Sequence, residues 1–391
     1  MSESGKHIKE VRKLRGLNQT ELAEAAGVSI SLVRKLEQGD REHTRLETLH
    51  KLAVALRVPT MRLSHGPRTE GPPAGAEEQW KAVRRMLERP PGTAVLGDEP
   101  PTVSGVSQAL TDLTDNPYYG QDRFRELALL LPPLMRDAEA LSSEGREIRA
   151  RVMQFVGFLM VSTRQFEAAD LALTRAMDDS SGRLEAAAAA NTRCWLLLRL
   201  GKLDEALALA EKWADETEPR ISRATPGELS MWGVLLLRMS GAAIRNNQPG
   251  KAMDALRFAK AAAIALGRER VIAADSVSTF GPIRVQLMRV ENAGVLDRPD
   301  AVLTLARQVP RSALRPTSGS RNRHHLDVAD ALAKTGHYAD AFERMAALSQ
   351  KAPEWLPNQP YGRRVLKRIV EGRRTLTPEM RAMATAIHLE V

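Results

Sequence analysis

The chain has 391 residues, of which 43% are hydrophobic, 27% are charged and only 4% are aromatic. This balance is ordinary for a soluble protein of two or three domains, and the low aromatic content disfavours β-sandwiches and favours closely packed helices. The formal net charge of +9 permits a polyanionic partner without identifying one. One cysteine excludes an internal disulfide, and no apolar signal core or 18-residue apolar run is present. We therefore expect an all-α, cytoplasmic protein with no membrane contact.

Residues 1–66 are predicted to form an N-terminal domain of five helices. The first spans residues 7–15, where apolar side chains recur at every third position: Ile8, Val11 and Leu14. The helical period returns after residue 46 and predicts a fourth helix, with a fifth after Pro59. Between them, residues 17–39 predict two short helices joined by a tight turn, and this pair organises the domain.

The segment 17–39 carries capping signals for both of its helices. Asn18 can cap the first helix, and Glu21 completes a capping box three residues later. Gly27 suits the left-handed conformation in which the chain leaves that helix, and Ser29 can cap the second helix. Apolar residues on facing sides can bury against each other, which leaves a polar, cationic ridge on the second helix. A ridge of this shape fits the major groove of double-stranded DNA.

The same segment resembles the lambda-repressor-like (XRE) family, because it carries the order L-x-Q-x-E-L-A-x-x-x-G-V-S followed by E-x-G. The resemblance is confined to residues 1–66, and it implies a helix-turn-helix with an ion pair between Arg12 and Glu37. It implies that the first helix of the pair is fixed on the DNA backbone and that the second faces base edges. Ile30 is apolar where polar side chains are common, so it either meets a thymine methyl group or touches no base. The predicted DNA-binding residues, including the loop after Gly39, are Gln19, Ser29, Ile30, Ser31, Arg34, Lys35, Gln38, Arg41 and Arg45.

Residues 67–101 differ in amino-acid composition from the segments before and after them. Three Pro-Pro pairs and several glycines surround one helical stretch at residues 76–89. Pro-rich segments are semi-extended and do not coil freely. We therefore predict a Pro-rich linker with one helix, which spaces the N-terminal domain from the rest of the chain and lets it swivel.

Residues 102–391 predict helix after helix with a weak internal repeat. The copies each consist of a turn followed by a helix, and they start at Arg164, Gly201, Gln248, Asp297 and Gly336. An alanine recurs where the two helices of a pair should pack closely: Ala169, Ala206, Ala252, Ala301 and Ala341. The copies resemble degenerate tetratricopeptide repeats, which implies a right-handed solenoid with a concave face lined by the first helix of each pair. Residues 357–391 would cap the stack or form a dimer contact.

The register of these repeats places polar and aromatic side chains on or near the concave face. The candidates are Arg151, Gln154, Phe158, Asn191, Trp195, Arg199, Arg245, Gln286, Arg323 and Asp330. Amide and guanidinium groups suit a peptide backbone or a carboxylate, and the aromatic rings offer flat apolar contact. The alternative for each one is a merely solvated side chain.

No pattern in the sequence predicts catalysis. His324 and His325 are adjacent, so their side chains diverge on a helix, and no zinc-site spacing surrounds them. Cys194 lies in an apolar helix and suits a buried core thiol. A phosphate-binding P-loop and a nucleophile elbow are both absent from the sequence. We expect no enzymatic activity, no cofactor and no metal.

A domain of this kind joined to such repeats resembles the bacterial peptide-pheromone receptors of the Rap, Rgg, NprR, PlcR and PrgX group. The resemblance implies a short signalling peptide as effector, with a small metabolite as the other possibility. We expect a homodimer on a palindromic operator, because two recognition helices about 34–36 Å apart meet successive major grooves. Ligand binding would change that spacing and so regulate transcription. The alternative is a DNA-anchored scaffold whose repeats bind a protein partner.

Overall fold

The structure is a computed structural model that describes residues 3–39, 46–56, 58, 63, 76–90, 100–115, 117–310, 318–373 and 375–389. Within these residues the chain forms twenty α-helices, four short 3₁₀ helices and one two-stranded β-hairpin. The prediction of a mostly helical protein is confirmed, but the expectation of an all-α fold misses the hairpin. In the described ranges, no helix combines the length and the apolar character needed to cross a bilayer.

The N-terminal domain contains four described helices, which are α1 (Glu3–Leu14), α2 (Gln19–Ala26), α3 (Ile30–Gln38) and α4 (Leu46–Leu56). Apolar side chains from all four helices form one core, which includes Ile8, Leu22, Val33, Leu36 and Leu52. The predicted fifth helix lies outside the described residues except for Leu63, which is buried in the same core. The N-terminal domain touches the rest of the chain where the Asn247 side-chain amide donates a hydrogen bond to the carbonyl of Val58.

The helical stretch predicted inside the linker packs against the helices that follow it. It consists of α5 (Ala76–Gln79) and α6 (Lys81–Glu88), with Trp80 between them. The indole of Trp80 is buried edge-on against Phe124, with 6.2 Å between ring centroids. The Arg175 guanidinium also donates to the carbonyl of Leu87 at 2.7 Å. Residues 76–89 therefore belong to the body of the protein, while 67–75 and 91–99 of the predicted linker lie outside the described residues.

After α5 and α6 the body continues with α7 (Val103–Asp115) and α8 (Arg123–Glu139) and then runs through five consecutive helix pairs. The pairs are α9 (Arg146–Ser162) with α10 (Phe166–Asp179), α11 (Arg183–Arg199) with α12 (Leu203–Thr217), α13 (Pro226–Arg245) with α14 (Pro249–Leu266), α15 (Pro282–Val295) with α16 (Pro299–Ala306), and α17 (Gly319–Lys334) with α18 (Tyr338–Lys351). The last helices are α19 (Pro360–Glu371) and α20 (Pro378–Ala386). The first helix of each pair contacts the first helix of the next pair, so these helices form one continuous layer.

All five pairs turn in the same way. The residue at the turn is left-handed, with φ between 56° and 84°, at Arg164, Gly201, Asn247, Asp297 and Gly336. The next residue donates its N–H to the carbonyl five positions earlier, at 2.8 to 3.0 Å in every pair. This six-to-one hydrogen bond is the Schellman closure of a helix C-terminus, and it fixes the direction in which the second helix starts.

A small side chain is buried five residues after each left-handed residue. The residues at this position are Ala169, Ala206, Ala252, Val302 and Ala341, each 0% or 1% exposed. Four of the five predicted alanines occupy it, but Ala301 is only partly buried and Val302 takes its place. The prediction for the fourth pair is therefore wrong by one position, because it followed the recurring alanine, whereas a valine fills the buried position in this pair.

A β-hairpin joins the third pair to the fourth. Strand β1 (Arg270–Ile272) pairs antiparallel with β2 (Asp275–Phe280), and β2 contacts α9, α13 and α15 in the layer of first helices. The Phe280 ring is fully buried against Gly233, where a Cβ atom would overlap the ring. The buried Asp275 carboxylate accepts a hydrogen bond from the Asn191 amide at 3.4 Å. The hairpin is therefore anchored on the face that the sequence assigned to ligand binding.

Candidate nucleic-acid interface and ligand cavity

Local hydrogen bonds fix where α3 begins and at what angle it leaves α2. The Asn18 side chain accepts from the N–H of Glu21 at 2.9 Å, and the Glu21 carboxylate accepts from the N–H of Asn18 at 2.7 Å. Gly27 then adopts a left-handed conformation with φ of 62°. The Ser29 hydroxyl accepts from the N–H of Leu32 at 3.3 Å. The predicted capping box, turn glycine and second cap are all confirmed.

A buried ion pair joins α1 to α3. The Arg12 guanidinium donates to both Glu37 carboxylate oxygens, at 2.6 and 2.8 Å, and the Gln19 amide donates to the second oxygen at 2.8 Å. The Glu37 side chain is only 2% exposed. Burial by itself would raise the pKa of Glu37, but the hydrogen bonds from Arg12 and Gln19 outweigh it and lower the pKa. Three helices thus converge on one carboxylate, which holds α3 in a fixed orientation.

The outer face of α3 presents polar and cationic side chains to solvent. Ser31, Arg34, Lys35 and Gln38 are exposed, and their spacing places them on a single face of the helix. Ile30 is half-buried and packs against the core of the N-terminal domain. This packing favours the alternative in which Ile30 touches no base.

The remaining predicted DNA-binding residues have different surroundings. Gln19 uses its amide within the ion-pair cluster, and the Ser29 hydroxyl is occupied as a cap. Arg41 and Arg45 lie outside the described residues. The surface that the structure offers to DNA is therefore the row of four exposed residues on α3, which we call the α3 ridge (Ser31, Arg34, Lys35 and Gln38).

A cavity of about 290 Å³ lies inside the body, between the layer of first helices and the hairpin. All five first helices contribute to its lining, and Val277, Ser278 and Thr279 of β2 close one side. Six arginines line it, which are Arg123, Arg199, Arg238, Arg245, Arg284 and Arg323. The carboxylates in its lining are Glu291 and Asp327. Positive charge therefore exceeds negative charge around this space.

The two carboxylates are engaged by two of the arginines. Glu291 forms a salt bridge with Arg245 and lies 3.9 Å from Arg323, and Asp327 accepts from Arg323 at 2.9 Å. Although burial opposes ionisation, these arginines lower the pKa of Glu291 to about 2. The Arg323 guanidinium also lies over the Tyr361 ring, 4.4 Å from its centroid. This cluster links α13, α15, α17 and α19.

Three other arginines in the lining have no carboxylate within salt-bridge distance among the described residues: Arg199, Arg238 and Arg284. The Nε atom of Arg199 is buried without an acceptor there, and Arg238 donates only to the side-chain oxygen of Asn191, at 3.2 Å. Burial, together with neighbouring arginines, lowers the pKa of Arg199 to about 9 and the pKa of Arg238 to about 10. Burial also lowers the pKa of Arg284. Glu291 and Glu269 partly offset the effect of burial on Arg284, and Glu291 and Asp275 do so for Arg238, but burial outweighs them.

An aromatic wall lies beside these arginines. The rings of Phe158 and Trp195 are 5.2 Å apart between centroids, and Tyr118 lies 5.9 Å from Phe158. The Arg199 guanidinium is 5.8 Å from the centre of the Trp195 ring. The cavity therefore offers a flat apolar surface next to a cationic one.

The ten predicted ligand-binding residues separate into three groups. Those in the cavity lining are Phe158, Trp195, Arg199, Arg245 and Arg323. Gln154 and Asn191 are buried beside the hairpin, where Gln154 donates to Thr192 at 2.9 Å and Asn191 donates to Asp275. Those outside the lining are Arg151, Gln286 and Asp330. Gln286 donates to the Leu305 carbonyl, and Asp330 forms salt bridges with Lys334 and Arg368.

Comparison with known proteins identifies the N-terminal domain. Residues 8–63 match the family model described as helix-turn-helix. The chain therefore carries a helix-turn-helix domain at its N-terminus. Over 59 residues the chain is 37% identical to the uncharacterized HTH-type transcriptional regulator RghRB of Bacillus subtilis (strain 168). That stretch covers 15% of this chain and 42% of the relative, so the chain spans less than half of the relative's length. No solved structure matches the chain.

Beyond the helix-turn-helix domain, sequence reasoning missed important residues of the cavity. Arg238 lies seven residues before Arg245, and Arg284 lies seven residues before Glu291. Seven residues are about two helical turns, so each pair shares a helix face. This seven-residue spacing of charged residues could have indicated both arginines, but the prediction used only the repeat register. The predicted position on this helix was Gln286, which lies outside the lining, whereas Arg284 is in it.

Proposed function

We propose that the protein is a DNA-binding transcriptional regulator that contacts the major groove with the α3 ridge. The observation that carries this proposal is that Ser31, Arg34, Lys35 and Gln38 share one exposed face of α3, while Glu37 on the buried side of the same helix is bound by Arg12. Guanidinium and amide groups at these positions suit hydrogen bonds to base edges in the major groove, which is wide enough to admit a helix. A rigid mounting limits the entropy lost when the ridge docks. The relative's name, which includes transcriptional regulator, supports the same function.

A homodimer on a palindromic operator is the arrangement that we propose for DNA recognition. A single α3 ridge spans only a few base pairs, which gives little specificity. Two copies spaced by one helical repeat of DNA, about 34–36 Å, contact successive major grooves on one face.

We further propose that the body is a tetratricopeptide-like sensor whose ligand occupies the cavity. The five first helices all contribute side chains to the lining, so a ligand in the cavity lies between helices of every pair. A ligand that favours one relative placement of these helices shifts the population toward it. The Asn247 contact with Val58 provides a route by which the α13–α14 turn can influence the helix-turn-helix domain.

Of the two predicted effector classes, a small molecule is the one that the cavity favours. The hairpin covers part of the layer of first helices, and Gln154 and Asn191, which suit a peptide backbone, are already engaged there. The remaining volume of about 290 Å³ is at the lower end of the range for small-molecule pockets, about 300–1,000 Å³. An extended peptide of several residues needs more space than this.

The test of DNA recognition starts by selecting an operator from random duplexes with the full chain. Fluorescence anisotropy then compares the selected operator with a scrambled duplex for wild type, for Arg34→Ala/Lys35→Ala and for Arg257→Ala/Lys260→Ala. The second double variant removes the same charge from exposed positions on α14 and serves as the control. We expect the α3 variant to lose about 1–3 kcal/mol of discrimination per base contact removed and the control to keep it. Equal discrimination by both variants would refute the assigned ridge.

A DNA-anchored scaffold is the second candidate function, and one observation favours it. Helix α14 exposes three large apolar side chains, Met253, Phe258 and Ile264, at 55%, 55% and 68%. Exposed apolar side chains mark a protein-binding surface where they form a contiguous patch, and Met253 and Ile264, about three turns apart, share one face of α14. Substitution of all three by serine distinguishes the two functions: loss of a co-purifying partner with unchanged ligand binding supports the scaffold, whereas an unchanged set of co-purifying proteins opposes it.

A further inference from the structure

We propose that the cavity binds a small organic anion that carries at least two negative charges and a flat ring, with Arg199, Arg238 and Arg284 as the anion-binding groups. This inference deepens the sensor part of the proposed function. It rests on that proposal only where it says that the bound anion changes the affinity for the operator. The binding itself is argued from the cavity alone.

The first step is the placement of the three arginines. Arg199 ends α11, Arg238 is in α13 and Arg284 is near the start of α15, so three consecutive first helices each direct one guanidinium into the same space. These side chains are half-buried, and a cation that is largely removed from water normally has a carboxylate partner, because an uncompensated charge in a protein interior is costly. The two carboxylates of the lining are already bound by Arg245 and Arg323. A bound anion supplies the missing partner.

The second step concerns hydrogen bonds. The terminal nitrogens of Arg199 make long hydrogen bonds to the Gln359 side chain and the Asn358 carbonyl, at 3.4 and 3.3 Å, whereas its buried Nε–H has no acceptor among the described residues. The Arg284 guanidinium makes no hydrogen bond or salt bridge with any residue in the described part of the chain. Guanidinium groups bind phosphate and carboxylate oxygens through paired, parallel N–H donors. These unused donors therefore point to an oxyanion ligand.

The third step is the number of charges. Six arginines and two carboxylates line the cavity, so the lining carries four more positive charges than negative ones. A ligand with one negative charge offsets only a small part of this excess, so we infer at least two.

The fourth step is the ring. Tyr118, Phe158 and Trp195 form a wall of three aromatic side chains next to Arg199. Stacking on such a wall favours a planar ring, and the neighbouring guanidinium favours an anionic group attached to it. The cavity of about 290 Å³ exceeds the size of a free phosphate ion and excludes a nucleic-acid strand. Two sources share this chemistry: a nucleotide and an aromatic polycarboxylate.

Isothermal titration calorimetry on the full chain, without DNA, tests the inference. The probes are adenosine and guanosine diphosphates, a benzene tricarboxylate, uncharged adenosine and inorganic phosphate. We expect micromolar binding for at least one ringed anion, and at least 100-fold weaker binding for adenosine and for phosphate. Preference for a diphosphate identifies the nucleotide source, and preference for the tricarboxylate identifies the other.

Two variants locate the site. Arg284→Met removes an uncompensated charge while keeping the apolar stem, so we expect at least tenfold weaker binding together with an unchanged or higher melting temperature of the free protein. Trp195→Leu should weaken binding of the ringed anion about tenfold and leave its salt dependence unchanged. Arg257→Met on the exposed face of α14 is the control and should bind like wild type.

Failure of this inference is distinguishable from failure of the proposed function. No binding of any ringed anion by wild type, or equal binding by wild type and Arg284→Met, overturns the inference. Binding that disappears in Arg284→Met supports the inference, and operator anisotropy with the bound probe then tests the sensor separately. If such a probe binds but leaves operator affinity unchanged, the anion site stands and the sensor proposal fails.

Discussion

The substitution Glu37→Gln tests whether one buried carboxylate holds the helix-turn-helix domain together. It preserves the volume of the side chain but removes the charge that Arg12 and Gln19 share. Arg12 is then left as a buried cation, because its own side chain is only 10% exposed. We expect α3 to lose its attachment to α1 first, since Glu37 is the point where they meet.

The magnitude follows from the contacts that are lost. Removing one partner of a buried ion pair costs about 3–5 kcal/mol. The glutamine oxygen still accepts one hydrogen bond, so we expect about 2–3 kcal/mol. A domain of this size is stable by about 3–9 kcal/mol, which makes the loss a large fraction of the total. Amide exchange through opening of the domain should accelerate about 30- to 160-fold.

Hydrogen–deuterium exchange with mass spectrometry measures this effect on peptides from residues 19–38. All five tryptophans lie beyond residue 79, so tryptophan fluorescence reports on the body and should not change. Glu24→Gln, at an exposed position on α2, removes the same charge and is the matched control. Equal exchange rates in the two variants would contradict the role of Glu37.

The pH dependence gives an independent check. The pKa of Glu37 is lower in the folded protein than its ordinary value of 4.5. Its ionisation therefore stabilises the folded state above about pH 4.5, and this contribution is lost as the pH falls through the folded pKa. The stability difference between wild type and Glu37→Gln should be full at pH 7 and shrink below pH 4.5. A difference that grows as the pH falls would refute the reasoning.

Two further predictions concern the body, and urea unfolding followed by tryptophan fluorescence measures both. Gly233→Ala should destabilise it by about 1–3 kcal/mol, because the added methyl group overlaps the Phe280 ring, whereas Gly250→Ala meets no atom within 4 Å and should be neutral or stabilising. Burial and the cation of Arg344, whose guanidinium lies 3.1 Å from the ring, lower the pKa of His325 to about 4. The unfolded chain therefore binds more protons between about pH 4 and 6.5, so the free energy of unfolding should decrease as the pH is lowered through this range, by up to about 1.4 kcal/mol per pH unit, and less steeply in His325→Gln. Identical slopes would show that this ring is not the titrating group.

The parts of the fold that the sequence predicted are those in which local chemistry decides the structure. Asn18 and Glu21 cap a helix that begins beside them, and Gly27 ends the same helix. These contacts are local in sequence, so the helix-turn-helix could be predicted without coordinates. The buried alanines of the helix pairs were evident for a similar reason, since they recur at a fixed distance from a turn. Val302 was missed because the prediction followed a recurring alanine, and a valine lies five residues after the left-handed Asp297.

The parts that were missed depend on contacts between distant residues. Nothing near Asp275 shows that it will be buried against Asn191, 84 residues away, so the hairpin and its position in the body were not predicted. The aromatic wall was half predicted, through Phe158 and Trp195, whereas Tyr118 precedes the repeats and reaches them only through tertiary packing. The proposed cavity therefore required the structure.

Mapping α3 on the selected operator tests the central proposal most directly. Cys194 is fully buried, and burial raises the pKa of its thiol to about 12, so Ser31→Cys introduces a thiol that can be labelled selectively with an iron chelate that cleaves DNA. Lys260→Cys on α14 serves as the control. We expect cleavage by the Ser31→Cys conjugate at two major-groove sites separated by about 10 base pairs, and no comparable cleavage by the control. Cleavage that is absent, or equal for the two conjugates, would contradict the docking of the α3 ridge in the major groove.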